Sequence, residues 1–548
     1  MNDKNLIKLI FFASSLVSVV GFIYFSSNEL HLAYGDALSR LNIARKMLDN
    51  LTPGFGQLGN IWLPLPHVLM LTFIWNNYMW HTGLAGYLMN GVAFVFTIYF
   101  LYRIGVLAFK SKLVGLLMAF VALTNINFLY MQTTSMTEVL YVCLVTGSTY
   151  FLILWSKTNR IYHLVFAALF VSASTLTRYE GYFVFALSVL IVAVISYIKT
   201  KNIKESIEGN TVVFATLAVT GIILWMLYSW AIFKDPFYWK NIYSGEKSII
   251  STDSALEKVV TDQGTVVSQK HDLGKALFSY WNASAQMNGI IITIIASVSA
   301  ICFIFFLIRN YRRLKRNPQW LILIIPAGTM LFVVFTLFMG NIPLDLPDFT
   351  LKNLLSRNTS YEYEYNIRYG LALLPLIAIF FGWLAYKSKY IAGFLFFFLF
   401  LQLFTTFYTP FFTIYQLPMR LNRGNTGSGN SGERASSIWF KQHYDKGLIM
   451  ISALQHDPEM FYLGLDYKNF IHEGTQYYWL ESRDKPQKYA TWIYMFKSTD
   501  TSKNDPDAVT KYLKDNKNLK KYFNKVYDDG TYEIYKIKDK PLVDISKK

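Results

Sequence analysis

The chain has 548 residues, of which 53% are hydrophobic and 17% aromatic, and its formal net charge is +17. Its apolar residues form runs of about 20, the length that a helix needs to cross a hydrocarbon core. Lys and Arg lie mostly between these runs and in a polar C-terminal segment, where they orient membrane helices. The positive charge therefore indicates membrane topology, and we expect no nucleic-acid partner.

Eleven apolar runs predict transmembrane helices at residues 7–27, 83–102, 113–131, 139–155, 161–176, 182–197, 212–233, 290–308, 321–339, 369–386 and 391–412. The first run is longer than the core of a usual secretory signal, so we expect a retained helix. Residues 63–75 are too few to cross, and Pro64 and Pro66 interrupt the start of this run. It therefore predicts an interfacial or re-entrant helix.

The basic residues predict which side of the membrane each connection occupies. Clusters of Lys and Arg mark the connections at 103–112, 157–160, 199–204, 309–316 and 387–389. These connections and the N-terminus are cytoplasmic by the positive-inside rule. The external loops are then 28–82, 132–138, 177–181, 234–289 and 340–368. We expect a multi-pass protein of the cell membrane whose C-terminal segment is extracytoplasmic.

The composition of the chain changes near residue 418. Residues 1–417 are predicted to form the transmembrane domain, with a first external loop at 28–82. Residues 418–433, which include NRGNTGSGNSGE, form a linker. Residues 434–548 predict a small α/β domain, with strands at GLIMISAL, NFIHEG, ATWIYMF and YEIYKIK and a helix at DAVTKYLKDN. Cys143 and Cys302 lie within predicted spans and indicate no disulfide framework.

A carboxylate stands where the first external loop begins. Asp36, in GDALSRLNIARK, starts a predicted helix in which Ala37, Leu41 and Ala44 form an apolar row. Such a helix suits the bilayer surface. One alternative reading is that Asp36 is only a helix N-terminal acid, with Arg40 as its surface ion-pair partner.

Further ionisable residues fall at the external ends of predicted spans: Glu138, Arg178, Glu180 and Arg368. Ionisable groups at membrane depth are costly unless they are paired or functional. Arg178 and Glu180 could form only a local ion pair, and Arg368 could be an interfacial side chain that snorkels to water. Together, however, the external groups supply a base candidate and guanidinium groups that grip phosphate. This combination suits a lipid phosphate as leaving group.

Several other residues are weaker candidates. Asp505 and Asp507 resemble a metal-binding DxD, but Pro506 and the following helical run favour a helix start. His67 and His81 do not have a metal-ligand spacing, although His67 is close enough to Trp62 to line a pocket. The remaining pocket candidates are Gln57 and two tyrosines of a belt at the membrane surface, Tyr365 and Tyr369.

The segments GDALSRLNIAR, GQLGNIWLPLPH, TSMTE, TLTRYEG and YNIRYGLALLPL together resemble the glycosyltransferase C superfamily, which includes protein O-mannosyltransferases and bacterial aminoarabinose transferases. The resemblance covers roughly the first 415 residues. It implies a sugar donor on a polyprenyl phosphate, Asp36 as catalytic base and Arg368 as a phosphate contact. Glu138, Arg178 and Glu180 match positions typical of bacterial members.

Two departures from the family pattern limit which transfer reaction we expect. Protein mannosyltransferases usually carry an Asp-Glu pair at the first site, whereas this chain has Asp36 followed by Ala37. The Trp-Trp-Asp motif of oligosaccharyltransferases does not occur in the sequence. Transfer of a mannosyl group to protein, and transfer of a whole oligosaccharide to asparagine, are therefore not favoured.

We expect an inverting membrane glycosyltransferase that moves one sugar to an extracytoplasmic acceptor, which could be a protein, a glycolipid or a cell-wall polymer. Asp36 would be the base, and Arg368, with Arg40 or Arg178, would hold the donor phosphate. The chemistry requires no metal or cofactor. The alternatives are a transporter or lipid-linked-sugar flippase, and a receptor with a soluble ectodomain. The enzyme hypothesis requires Asp36 and Arg368 to share one cavity at the outer membrane surface.

Overall fold

The computed structural model describes residues 2–59, 62–200, 208–238, 269–310, 312, 317–342, 344, 366–408, 435–497 and 507–543. The helices of its first part are α1 (Asp3–Ser27), α2 (Gly35–Lys46), α3 (Leu65–Ile74), α4 (Asn77–His81), α5 (Leu84–Phe109), α6 (Lys112–Leu123), α7 (Ile126–Met131), α8 (Glu138–Thr158), α9 (Ile161–Thr175), α10 (Gly181–Thr200), α11 (Gly209–Ala218), α12 (Thr220–Phe233), α13 (Leu273–Asn288), α14 (Ile290–Arg309), α15 (Gln319–Ile322), α16 (Ala327–Met339), α17 (Leu374–Tyr386) and α18 (Lys389–Tyr408).

Eight helical segments of the described chain are long and apolar enough to cross a membrane. They correspond to eight of the eleven predicted spans. The other three predicted spans correspond to the shorter apolar helices α6, α9 and α18. Large apolar side chains, such as those of Phe12, Phe305 and Phe394, are exposed on the outside of the bundle. The chain is thus a multi-pass integral membrane protein.

The predicted run at 113–131 is wrong as a single helix. The side chain of Asn125 accepts hydrogen bonds from the backbone N–H groups of Asn127 and Phe128, both at 3.0 Å. This N-cap ends one helix and starts the next, which separates α6 from α7. The predicted run at 321–339 is likewise divided, into α15 and α16. Pro326 precedes α16, and its ring nitrogen cannot donate the hydrogen bond that a continuous helix needs.

Helix α13 lies within residues 234–289, for which the sequence predicted only an external loop. Asp272 caps its first turn by accepting a hydrogen bond from the Lys275 N–H at 2.9 Å. Its last residues, from Asn282 to Asn288, are buried, although most of them are polar. Gly289 then turns the chain into α14 with a φ of +92°. A Cβ there would lie 2.5 Å from the Gln402 side chain, so only glycine fits.

Two contacts agree with the predicted separation of the connections at the two ends of α1. Asp3 pairs with Arg103 at 2.9 Å, which places the N-terminus beside the 103–112 connection. At the other end of α1, the carbonyl of Leu30 accepts a hydrogen bond from Tyr130 at 2.8 Å. The first loop therefore meets the 132–138 connection at the opposite end of the bundle from Asp3.

The C-terminal part is a small domain built on one mixed five-stranded sheet. Its strands are β1 (Leu448–Met450), β2 (Phe470–Ile471), β3 (Ala490–Phe496), β4 (Phe523–Asp528) and β5 (Tyr532–Ile537), in the order β2-β1-β3-β5-β4. Strand β1 pairs in parallel with β2 and β3, whereas β5 pairs antiparallel with β3 and β4. Its helices are α19 (Ala435–His443), α20 (Ala453–Leu463), α21 (Tyr477–Asp484), α22 (Ala508–Leu513) and α23 (Lys517–Tyr522).

All four predicted strands and the predicted helix of this domain are confirmed. Strand β4 was missed because its polar, largely exposed residues show no apolar alternation. Asp507 caps α22 by accepting from the Thr510 N–H at 2.5 Å, as the helix-start interpretation requires. Asp505 and the predicted linker at 418–433 lie outside the described residues.

Candidate active site

Helix α2 presents Asp36 in its first turn. Ala37, Leu38, Leu41 and Ala44 are fully or almost fully buried, so one side of α2 is anchored in the protein. A carboxylate in the first helical turn is stabilised by the helix dipole. The side chain of Asp36 nevertheless remains 39% exposed. Asp36 can therefore meet a substrate without any unfolding of the helix that carries it.

Arg368 reaches Asp36 from a distant part of the chain. It lies in a 3-10 helix, Ile367–Leu373, that follows the left-handed residue Asn366. Gly370 of this helix packs on α13 so closely that a Cβ would lie 2.3 Å from the backbone of Ala283. In this position the Arg368 Nη2 donates to Asp36 Oδ2 at 2.6 Å. The two residues on which the sequence hypothesis depended therefore share one site.

Glu138 joins two arginines beneath Asp36. It begins α8 and its side chain is fully buried. Its Oε1 lies 2.8 Å from Arg178 Nη1 and 3.2 Å from Arg368 Nε. A buried carboxylate is strongly unfavourable unless cations compensate it. Glu138 is thus the group that holds Arg178 and Arg368 side by side.

Arg178 is saturated by protein acceptors. Besides Glu138, it contacts Glu180 Oε1 through Nη2 at 2.6 Å and through Nε at 3.0 Å, and it donates to the Thr137 hydroxyl at 3.2 Å. Burial disfavours its charge, but Glu180 and Glu138 outweigh burial and raise the pKa of Arg178 above its usual range. The local Arg178–Glu180 ion pair that the sequence allowed does exist, but it is part of a larger network.

Arg40 has a different environment from the other two arginines. Its side chain is buried, and it forms no ion pair or hydrogen bond with the residues that the structure describes. Burial lowers the pKa of Arg40 to about 10, although Asp36 and Glu138 oppose this shift. The guanidinium lies 4.3 Å from the centre of the Trp62 ring. The alternative of a surface ion pair between Asp36 and Arg40 is therefore wrong, because Arg40 is buried and Asp36 bonds to Arg368.

Aromatic rings line the cationic side of this cluster. The Tyr369 ring centre lies 5.0 Å from the Arg178 guanidinium and 5.6 Å from that of Arg368. The Tyr34 ring centre lies 5.7 Å from the Arg368 guanidinium. Aromatic faces attract cations at such distances, and this attraction fixes the planes of the guanidinium groups. Tyr34 was missed from the sequence, although it stands two positions before Asp36.

Most of the predicted site residues thus come together. Asp36, Glu138 and Glu180 contribute three carboxylates, and three guanidinium groups offset them, so the formal charge of the cluster cancels. The Glu138 side chain is 0% exposed and that of Glu180 is 7% exposed. Of these three carboxylates, Asp36 is the one open to a substrate.

The other pocket candidates divide into two groups. His67 stacks near Trp62, with ring centres 6.4 Å apart and planes 12° from parallel, and so lies beside Arg40. Gln57 instead bonds to the carbonyls of Thr52 and Gly474, at 2.7 and 2.8 Å, and thus joins the first loop to the C-terminal domain. Tyr365 lies outside the described residues.

The C-terminal domain docks on the helix that carries Asp36. The Asn42 side chain of α2 donates to the carbonyl of Asp457 at 2.8 Å. Lys46 lies 3.5 Å from the Asp457 carboxylate. Burial raises the pKa of Asp457, and Lys46 opposes this shift. The sequence did not reveal this interface, because its two halves are more than 400 positions apart.

Comparisons with known proteins give a likeness of fold. No protein-family model matches the chain, and no curated protein matches it. Among solved structures, ArnT from Cupriavidus metallidurans, bound to undecaprenyl phosphate, is similar over 97% of this chain and 98% of its own, with 12% identity and a TM-score of 0.52. The oligosaccharyltransferase AglB from Archaeoglobus fulgidus, in complex with an inhibitory peptide and a dolichol-phosphate, is similar over 90% of this chain and 69% of its own, with 10% identity and a TM-score of 0.47. The ArnT comparison confirms the predicted fold class, a helical multi-pass membrane fold with a small C-terminal α/β domain, which this chain shares with ArnT.

Proposed function

Since this fold is shared with ArnT, we propose that the chain is a membrane glycosyltransferase that moves one sugar from a polyprenyl-phosphate donor to an acceptor hydroxyl on the extracytoplasmic side. The observation that carries the proposal is the direct contact of a partly exposed carboxylate, Asp36, with a largely buried guanidinium, Arg368, at 2.6 Å. A displacement at a sugar carbon needs both groups: a proton acceptor for the nucleophile and a positive charge for the leaving phosphate.

In the proposed reaction, Asp36 accepts the proton of the acceptor hydroxyl while the hydroxyl oxygen attacks the anomeric carbon. The bond between that carbon and the phosphate oxygen breaks, and its electron pair stays on the phosphate. A single displacement inverts the configuration of the anomeric carbon. The products are the glycosylated acceptor and the polyprenyl phosphate, with the transferred proton on Asp36.

We assign the phosphate to Arg40 and Arg368 rather than to Arg178. Arg178 already donates to two carboxylates and a hydroxyl. Arg40 has no carboxylate partner among the described residues, and its buried Nε donates no hydrogen bond to them, so this donor is available to a ligand. A phosphate bound there adds negative charge to a cluster that is otherwise balanced. Positive charge placed in advance next to the leaving group stabilises the transition state without reorganisation.

The experiment is to incubate the purified full-length protein with a panel of polyprenyl-phosphate sugars and a membrane extract that supplies acceptors. The proposal expects release of polyprenyl phosphate from at least one donor, and no release by the Asp36→Asn variant. If none of the donors is consumed, while the same protein in vesicles moves a lipid-linked sugar across the bilayer, the proposal is wrong and the flippase alternative is correct.

A further inference from the structure

His67 is buried beside the arginine cluster with one ring nitrogen already used. It lies in α3, and its side chain is fully buried. Its Nδ1 lies 3.2 Å from the carbonyl oxygen of Leu63. A carbonyl can only accept, so Nδ1 must carry the proton when the ring is neutral. Burial and the positive charge of Arg40 lower the pKa of His67 to about 3, which keeps the ring neutral.

The other ring nitrogen is therefore an acceptor without a donor. In the neutral ring with a proton on Nδ1, Nε2 presents a lone pair. This atom is fully buried and has no hydrogen-bond partner in the described part of the protein. Buried polar atoms in native proteins are nearly always paired, and an unpaired one at a site calls for an explanation.

The surroundings of His67 restrict which ligand group could supply the missing donor. Of the charged groups that act on the pKa of His67, Arg40 has the largest effect, and both residues lie against Trp62. Phosphate oxygens bound by Arg40 only accept when ionised, so they cannot satisfy Nε2. A hydroxyl group has both a donor hydrogen and acceptor lone pairs, so it can bond to Nε2 while phosphate occupies the guanidinium.

We propose that Nε2 of His67 accepts a hydrogen bond from a substrate hydroxyl held next to the phosphate site. The inference rests on the proposed function and assigns to His67 a role in substrate binding and selection. The hydroxyl belongs either to the sugar on the donor or to the acceptor, and both present the same chemistry to Nε2. A site that bonds to a particular hydroxyl rejects analogues that lack it, because the buried partner is then left unpaired.

The test compares His67→Phe, which keeps a flat ring against Trp62 but removes the acceptor, with His67→Gln, which can place an amide oxygen near the position of Nε2. We expect His67→Phe to lower kcat/KM about tenfold or more, as for a lost hydrogen bond, and His67→Gln to restore part of it. An increase in the donor KM assigns the hydroxyl to the donor sugar, and an increase in the acceptor KM assigns it to the acceptor.

Deoxy analogues distinguish a binding role from a structural one. If His67 were only structural, its replacement would not change the ratio between the rates of a deoxy analogue and its parent. In the wild-type protein, one deoxy donor or deoxy acceptor should react about tenfold more slowly than its parent, whereas His67→Phe should use the analogue and its parent equally well. His81→Phe is the matched control, because the His81 ring also packs against aromatic rings, with its centre 4.1 Å from that of Trp80 and 5.4 Å from that of Phe461 in the C-terminal domain. We expect it to discriminate against the analogue as the wild type does.

Ligand-induced thermal shifts separate failure of this inference from failure of the proposed function. Polyprenyl phosphate should stabilise the wild type and both His67 variants equally, and the sugar-bearing donor should add a further shift that His67→Phe loses if the hydroxyl is on the sugar. If neither lipid stabilises the wild type and no donor turns over, the proposed function is wrong. The role of His67 is wrong if the wild type is active and His67→Phe keeps both the wild-type kinetics and the wild-type discrimination against the deoxy analogue. Where His67→Phe does not fold, His67→Asn takes its place in this test.

Discussion

Arg368 donates a hydrogen bond to Asp36 across 332 positions of the chain, with 2.6 Å between Nη2 and Oδ2. The contact places a candidate base and a candidate phosphate ligand in one pair. It also means that one carboxylate oxygen of Asp36 already accepts a hydrogen bond from within the protein. In the proposed reaction a donor phosphate competes for Arg368, and the arrival of the donor then releases Asp36 for the acceptor hydroxyl.

Replacement of Asp36 by Asn should abolish sugar transfer and leave the fold intact. The amide keeps the shape of the side chain but cannot take a proton. General-base catalysis raises a reaction rate by about 10²- to 10⁴-fold, and the variant loses this enhancement. The initial rate of polyprenyl-phosphate release measures the effect. Glu29→Gln is the matched control, since Glu29 is an exposed acid of the same loop. Transfer at the wild-type rate by the Asp36 variant would remove this residue from the mechanism.

Replacement of Arg40 by Ala should raise the donor KM by about 10- to 100-fold, as expected for the loss of a hydrogen bond between charged partners. Arg40→Lys should recover only part of this loss, because an ammonium keeps the charge but not the two-pronged geometry. Steady-state kinetics at varied donor concentration measure the donor KM of each variant. Arg160→Ala, at an exposed arginine in the 157–160 connection, should change nothing. An unchanged donor KM in Arg40→Ala would place the phosphate elsewhere.

Replacement of Glu138 by Gln should destabilise the protein by about 3–5 kcal/mol, because it leaves Arg178 and Arg368 buried with less compensation. A lower midpoint of thermal unfolding in detergent would reveal this cost. Glu481→Gln, at an acid paired with Lys488 on the surface of the C-terminal domain, is the control and should have little effect. The double variant Glu138→Gln with Arg178→Gln should regain part of the stability. If Glu138→Gln melts like the wild type, Glu138 does not hold the arginines in place.

Replacement of Asp49 by Ala should loosen the C-terminal domain from the first loop. The Asp49 carboxylate accepts hydrogen bonds from the backbone N–H groups of Tyr467 and Lys468, at 3.0 and 3.4 Å, and lies 3.2 Å from Arg45. Faster hydrogen exchange around Tyr467, measured by mass spectrometry, is the expected result. Asp445→Ala removes an exposed acid that pairs with Lys536, and it should leave this exchange unchanged. Equal protection in both variants would contradict the proposed anchoring role.

The C-terminal domain should lose stability as the pH rises through about 9. His456 is buried, with its Nε2 2.9 Å from Asp507 and its Nδ1 3.7 Å from Glu459. Burial disfavours its charge, but the hydrogen bond with Asp507 and the negative charges of Glu459 and Asp507 outweigh burial and raise the pKa of His456 to about 9. A raised pKa gives stability that is complete below the usual value near 6.5 and is lost as the folded-state pKa is passed.

Hydrogen exchange of α20 at pH 7 and at pH 9.5, corrected for the intrinsic pH dependence of exchange, measures this loss. His456→Gln should remove most of the difference between the two conditions, since glutamine does not titrate. Identical corrected protection of α20 at both values in the wild type would show that His456 is not charged in the folded domain.

The sequence by itself determined the membrane fold, and its basic connections predict the side of the membrane on which the site lies. Runs of apolar residues and alternate basic connections are local signals, because lipid and membrane topology act on each segment separately. The order of the external motifs predicted that five ionisable residues lie at one end of the bundle: Asp36, Glu138, Arg178, Glu180 and Arg368. The strand patterns of the C-terminal domain were visible for the same local reason.

Only the tertiary structure decided how these groups pair. Ion pairs such as Arg368 with Asp36, and the docking of Asp457 on Asn42, join positions hundreds of residues apart, and no local pattern encodes such contacts. The roles of the arginines also follow from packing, because burial and the number of nearby carboxylates determine whether a guanidinium is saturated, as in Arg178, or available, as in Arg40. The sequence did not predict helix α13, because the buried end of this helix is polar. Its burial depends on the helices and the 3-10 helix that surround it.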